Sequence, residues 1–118
     1  RDPALLGRIQ SNADLLARHA ANPGGLTAYV FARTAQGFAV RFFWVQNGSL
    51  GEDPGTGSAC ANLGGWWRAR HPGVALDARV EQGDFIGRPN RLSLTVSQDG
   101  AIRVGGQVVE IGRGSLDW

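Results

Sequence analysis

The residue pattern predicts an α+β domain in which a curled, mostly antiparallel sheet wraps around one central buried helix. Three observations carry this expectation. Two long runs rich in aromatic and β-branched residues stand side by side in the first half, and shorter runs of the same kind fill the second. Between them lies a single segment of helical length, 56–70, that is apolar on nearly every side. Turn dipeptides such as Asn47-Gly48 and Asp99-Gly100 punctuate the strand-like runs. At 118 residues this is one domain, long enough to bury roughly two-thirds of its unfolded surface, with a helical lead-in over 1–24 and sheet plus helix over 25–118.

Asp2-Pro3 opens one or two short amphipathic helices over 4–9 and 13–19, whose apolar residues recur at intervals of three and four until Asn22-Pro23-Gly24-Gly25 stops them. An antiparallel strand pair follows at 26–33 and 38–45, joined through Thr34-Ala35-Gln36-Gly37. A loop through Asn47-Gly48 then leads to the central helix, where Ala59, Cys60, Ala61, Leu63, Trp66 and Trp67 leave little polar face before Arg68 and Arg70. His71-Pro72-Gly73 ends that helix. Four further strands are expected at 75–82, 91–97, 101–104 and 107–111, with a hairpin turn at Asp99-Gly100 and a bend or bulge at Gly105-Gly106.

Composition narrows the function classes. All 12 basic residues are arginines, scattered along the chain for a net charge of +2, with no basic run and no aromatic pattern of an RNA-binding sheet. No apolar run approaches a membrane span, and no secretory pattern opens the chain. One cysteine excludes an internal disulfide, so a cytoplasmic setting is expected, with neither nucleic acid nor membrane as partner. Methionine is absent. An intact translation product begins with one, so the chain reads as a fragment or processed product that need not hold a complete catalytic apparatus.

The stretch from Gly51 to Ala61, Gly-Glu-Asp-Pro-Gly-Thr-Gly-Ser-Ala-Cys-Ala, carries the chemistry. It sets two carboxylates, a proline and a run of glycines and hydroxyls immediately before the apolar helix. A helix start stripped of bulky side chains offers free N–H groups and the positive end of the helix dipole to an anion. Known glycine-rich motifs do not fit. Ser58 stands where a P-loop needs lysine, Ser58-Ala59-Cys60 breaks a dinucleotide fingerprint, and no Gly-x-Ser-x-Gly elbow is present. What remains is an anion site with an acid in it: Gly55 and Gly57 allow close approach to the backbone, Ser58 can donate to a carboxylate or enolate oxygen, and Asp53 can accept or return a proton. The plainer alternative is that Asp53 or Thr56 simply caps the helix.

Glu52-Asp53-Pro54-Gly55-Thr56-Gly57-Ser58-Ala59 resembles the E-D-P-x-T-G-S-A signature of the PhzF (phenazine biosynthesis) family, relatives of diaminopimelate epimerase. Gln82-Gly83-Asp84-Phe85-Ile86-Gly87-Arg88-Pro89-Asn90 resembles that family's second signature, Q-G-x-x-M-G-R-P-S, and 104–114 also fits. The resemblance is to the C-terminal lobe of a two-lobed isomerase with the active site between lobes. It implies Asp53 and Ser58 as catalytic residues, substrate contact through Gly55, Thr56, Gly57 and Ser58, and no cofactor or metal. It also implies a glutamate base on an N-terminal lobe, in the same polypeptide or a second chain, and a homodimer. The substrate would be a small carboxylate-bearing biosynthetic intermediate. The alternative is a non-catalytic module for small-anion binding or protein association. Departures from the pattern are Ile86 for methionine, Asn90 for serine, and Gly55 for the commoner alanine, the last expected to loosen the loop.

Other residues have plain readings. Cys60, Trp66 and Trp67 are expected in the core, and His19 and His71 as helix-end caps or solvated groups. Arg88 is expected either to form a salt bridge or to meet a substrate carboxylate, and Asn47-Gly48-Ser49 to be a turn rather than a glycosylation site.

Overall fold

The computed structural model describes residues 2–19, 21–22 and 25–117, with side chains described for all of these except 17, 19, 21, 22 and 25. The lead-in is a 3-10 helix, Pro3–Arg8, followed by α1, Ala13–His19. The first is tighter than the expected α-helix. Pro3 starts it, and Asp2 closes its first turn by accepting the Ala4 N–H at 2.9 Å. Asn12 caps α1, its Oδ1 accepting from the N–H groups of Asp14 and Leu15 at 2.9 and 3.1 Å. The expected stop at Pro23-Gly24 lies outside the described residues.

The remaining elements are β1 (Ala21–Asn22), β2 (Gly25–Thr34), β3 (Gly37–Gln46), β4 (Ser49–Asp53), α2 (Gly57–Arg70), β5 (Leu76–Gln82), a second 3-10 turn (Asp84–Ile86), β6 (Asn90–Val96) and β7 (Ile102–Gly106). The sheet runs β1-β2-β3-β5-β6-β7, all antiparallel except the β3–β5 pair, with β4 also on β3. The α+β class holds, with α2 lying against the inner face of the curl. Its Ala59, Cys60, Leu63 and Gly64 are buried, and they meet Phe38, Val40, Ala78, Val80 and Leu94 in the main core. Gly64 permits this close seating, since a Cβ there would stand 2.8 Å from Ile102 and 3.1 Å from Leu94.

Strand alternation divides the sheet between two cores. Phe38 and Val40 of β3 face α2, whereas Arg41 and Phe43 face the lead-in, where Leu6 and Leu16 are buried. A second core of this kind is why the lead-in folds at all: neither short helix would be stable alone in water.

Three expectations are corrected. Residues 49–53, expected as loop, form β4; the sequence Ser-Leu-Gly-Glu-Asp has no apolar alternation, and the strand is instead set by a tight turn with positive φ at Asn47 (51°) and Gly48 (74°). Gly105-Gly106, expected as a bend or bulge, continues β7 in register with Ser93 and Leu92. The strand expected at 107–111 does not form, so the sheet ends at 106 rather than running on toward 118. Beyond Gly106 only Arg91 and Asn90 of β6 remain to pair, and Val108, Val109 and Ile111 stand 92%, 79% and 98% exposed. No helix among the described residues is long and apolar enough to cross a membrane.

Candidate functional site

The site lies at a fork in the sheet. One edge of β3 is shared by two strands: β5 runs parallel along 37–40, and β4 runs antiparallel along 42–46. Because the two run in opposite directions, their C-terminal ends point at each other. Asp53, last in β4, pairs with Phe42, and Gln82, last in β5, pairs with Val40. Positions 40 and 42 share a face, so both side chains project to the side that holds α2.

At the fork the Gln82 carboxamide clamps the loop between β4 and α2. Gln82 is fully buried. Its Nε2 donates to the Asp53 carbonyl at 2.7 Å and to Thr56 Oγ1 at 3.0 Å, and its Oε1 accepts the Thr56 N–H at 3.2 Å. The Thr56 hydroxyl in turn donates to Asp53 Oδ2 at 2.5 Å. Thr56 is therefore the N-cap of α2 by position but makes no side-chain capping bond, its hydroxyl being committed to Asp53. The capping alternative fails for both residues: neither side chain accepts from a helix N–H.

The helix start consequently stays open. The first helical hydrogen bond runs from the Cys60 N–H to the Thr56 carbonyl at 3.0 Å, leaving the N–H groups of Gly57, Ser58 and Ala59 ahead of it. Gly57 and Ser58 are exposed, and a Cβ built on Gly57 would meet nothing within 4 Å. Asp53 is half-buried, and its Oδ1 accepts no hydrogen bond among the described residues. Asp53, Thr56, Gly57 and Ser58 thus lie together at the start of α2. The backbone at Gly55 does not face an open approach: a Cβ there would lie 2.4 Å from Asn90 Nδ2. The expected loosening by Gly55 is offset by the Asn90 amide that takes the vacated space.

The two signature stretches are therefore one structure. Gly83 follows Gln82 in the left-handed region (φ 82°), and a Cβ there would lie 2.1 Å from the Arg88 carbonyl and 2.9 Å from the Pro54 carbonyl. The turn from 83 to 89 folds back on the Asp53 loop and delivers Asn90 beside Gly55.

Only one of the two adjacent carboxylates enters the site. Glu52 pairs with Phe43 and faces the lead-in. There it binds Arg41 through two bonds, Nε to Oε1 at 2.9 Å and Nη2 to Oε2 at 2.6 Å. Arg41 Nη1 also donates to the carbonyls of Leu6 at 2.9 Å and Ile9 at 3.1 Å, and the guanidinium stacks over Phe43 and Phe85. Sequence reasoning missed this clamp and the role of Gln82. The signal for Gln82 was present in parity: Ala78 and Val80 mark the inward positions of β5, and Gln82 is the next.

Of the remaining candidates, Cys60, Trp66 and His71 have packing roles. Cys60 is fully buried, and burial pushes its thiol up to about 11, which removes thiolate reactivity near neutral pH. His71 stacks on Trp67 at 4.1 Å between centroids, while the side chain of His19 lies outside the described residues. Trp66 packs edge-on against Phe31 at 4.9 Å. Arg88 is exposed and forms no ion pair among the described residues. No group of three or more His, Cys, Asp or Glu that could hold a metal ion occurs among them either.

These features define a class: an α+β lobe in which a curled sheet holds one helix, with a carboxylate and a glycine–hydroxyl loop seated at the helix's open N-terminus. A family model described as "Phenazine biosynthesis-like protein" matches residues 8–114, nearly the whole chain, and the chain belongs to this family. It is also 51% identical over 77 residues to "Uncharacterized isomerase PM1503" of Pasteurella multocida (strain Pm70), a match covering 65% of this chain and 26% of that protein. The chain thus spans about a quarter of the relative's length along the matched region.

Proposed function

We propose that this chain is one lobe of an isomerase that relocates a proton on a small carboxylate-bearing biosynthetic intermediate without a cofactor, the base being a glutamate on a second lobe. The observation that carries the reading is the seating of Asp53. Its Oδ2 is engaged by the Thr56 hydroxyl at 2.5 Å, its Oδ1 has no protein partner among the described residues, and it precedes the open end of a 14-residue helix. Family membership and the printed name of the Pasteurella relative support an isomerase.

In this mechanism the glutamate removes a carbon-bound proton from the substrate. The N–H groups of Gly57 and Ser58, with the Ser58 hydroxyl, stabilise charge developing on the carboxylate or enolate oxygen; such preorganised donors contribute on the order of 3 kcal/mol each. Asp53 holds the substrate's amino or hydroxyl group, or returns the proton at the new position. The Gln82 and Thr56 bonds fix the Asp53 carboxylate before substrate arrives, so little reorganisation is left for the reaction itself. A cleft facing a second lobe would exclude water and strengthen each of these interactions.

The test follows deuterium incorporation from solvent into cyclic hydroxy-amino acids, comparing the full-length protein with its Asp53→Asn variant. Removing a general acid–base group costs about 10²- to 10⁴-fold in rate, so exchange in the variant should fall to near background. Equal exchange above background in both proteins would remove Asp53 from the mechanism, and exchange at background in both would favour the non-catalytic module.

A further inference from the structure

We infer that Asn90 is a specificity-determining residue of this site, its carboxamide binding a neutral hydrogen-bonding substituent, a hydroxyl or carboxamide, on a substrate carbon other than the one bearing the carboxylate. The inference rests on the isomerase reading above and deepens it. Asn90 opens β6 directly opposite Gln82 in β5, so both side chains lie on the face that carries the Asp53 loop. The two amides have opposite fates. Gln82 is fully buried with its donors and acceptor engaged, whereas Asn90 is exposed and its side chain makes no hydrogen bond among the described residues.

The unengaged Asn90 amide occupies the space beside Gly55. Nδ2 and Cγ stand 2.4 and 2.9 Å from where a Cβ of residue 55 would lie. With Asn90 placed this way only glycine fits at 55. The loop carrying Asp53 thereby uses a glycine, with its larger unfolded-state entropy to lose, to accommodate a carboxamide. A brace for the loop would need no polar atoms there. Gly55 lies midway between Asp53 and Gly57, so the amide flanks the span between the acid and the helix N–H groups. One donor pair and one acceptor without charge match a hydroxyl or carboxamide rather than a second carboxylate.

The test uses the full-length protein and cyclic amino carboxylates identical except for one ring substituent: hydroxyl, carboxamide or methyl. Deuterium exchange is measured for wild type, Asp53→Asn, Asn90→Asp, and the repacked double variant Gly55→Ala/Asn90→Ala. In wild type the hydroxyl or carboxamide compound should exchange about tenfold faster per molar than the methyl compound, the discrimination expected from one neutral hydrogen bond. Both Asn90 variants should bring that ratio close to one. A ratio unchanged in both, or equal slowing of all compounds, would overturn the role and leave Asn90 as a brace. If exchange survives Asp53→Asn, or occurs with none of the compounds, the isomerase reading falls and this inference with it. An Asp53-dependent exchange with no change of ratio removes Asn90 alone.

Discussion

Replacing Gln82 by leucine tests whether the fork in the sheet is what holds Asp53. Leucine is close to glutamine in volume and suits the buried position, so the perturbation is polar rather than steric. It deletes three hydrogen bonds, to the Asp53 carbonyl, the Thr56 hydroxyl and the Thr56 N–H. At about 1 kcal/mol net for each bond the loss is about 3 kcal/mol, with some relief because the loop ends are only half-buried and water can reach them. The expected local effect is sharper than the global one. The Thr56 N–H loses its acceptor, and about 3 kcal/mol of local opening energy corresponds to a hundredfold or greater rise in amide exchange. Amide hydrogen exchange across 53–59, alongside urea unfolding, measures both. Gln82→Glu keeps the volume but turns a donor into an acceptor facing the Asp53 carbonyl, so at neutral pH it should destabilise at least as much as leucine. Protection at Thr56 within a factor of three of wild type in Gln82→Leu would refute the clamp.

Two further outcomes follow from the geometry. The Arg41–Glu52 pair has side chains only 11% and 10% exposed, so Glu52→Ala strands a buried guanidinium and should cost about 3 kcal/mol or more in urea unfolding, with protection lost first in the lead-in helices. Burial raises the Cys60 thiol from 9.0 to about 11 and pushes the Tyr29 phenol above its usual range as well. Above pH 9 the unfolded chain gives up the Cys60 proton that the folded chain keeps, so stability is full below that pH and falls as pH rises toward 11. Unfolding curves between pH 8 and 11 should show this decline, and Cys60→Ala should make it shallower.

Much of the fold was legible because its cause is local. The aromatic and β-branched richness of 26–33 and 38–45, and the apolar length of 56–70, mark β2, β3 and α2 to within a residue or two. What escaped depends on neighbours. β4 has no pattern of its own and exists because Asn47-Gly48 turns it back onto β3. The run at 107–111 has the right residues for a strand but no partner beyond the end of β6. The acid and the helix start were readable from spacing, whereas Gln82 and Asn90 reach them across 29 and 35 positions of sequence, a proximity created only by the fork.

The Glu52-Asp53 dipeptide shows how that fork assigns chemistry. As consecutive residues of a strand the two carboxylates must face opposite sides. On the lead-in side, Glu52 is neutralised by a guanidinium with four of its N–H groups bonded, which leaves it no part in proton transfer. On the helix side, Asp53 meets no cation among the described residues, only a hydroxyl and the positive end of α2. One face of β4 thus anchors the lead-in to the sheet, and the other points an acid into the site. A one-residue slip of β4 would exchange these roles, burying Asp53 against Arg41 and turning Glu52 toward Thr56. The Arg41 clamp opposes that slip, because it recognises the longer carboxylate through two bonds at once. Arg41 therefore helps set the register that turns Asp53 toward Thr56 and the start of α2, without itself lying on that face.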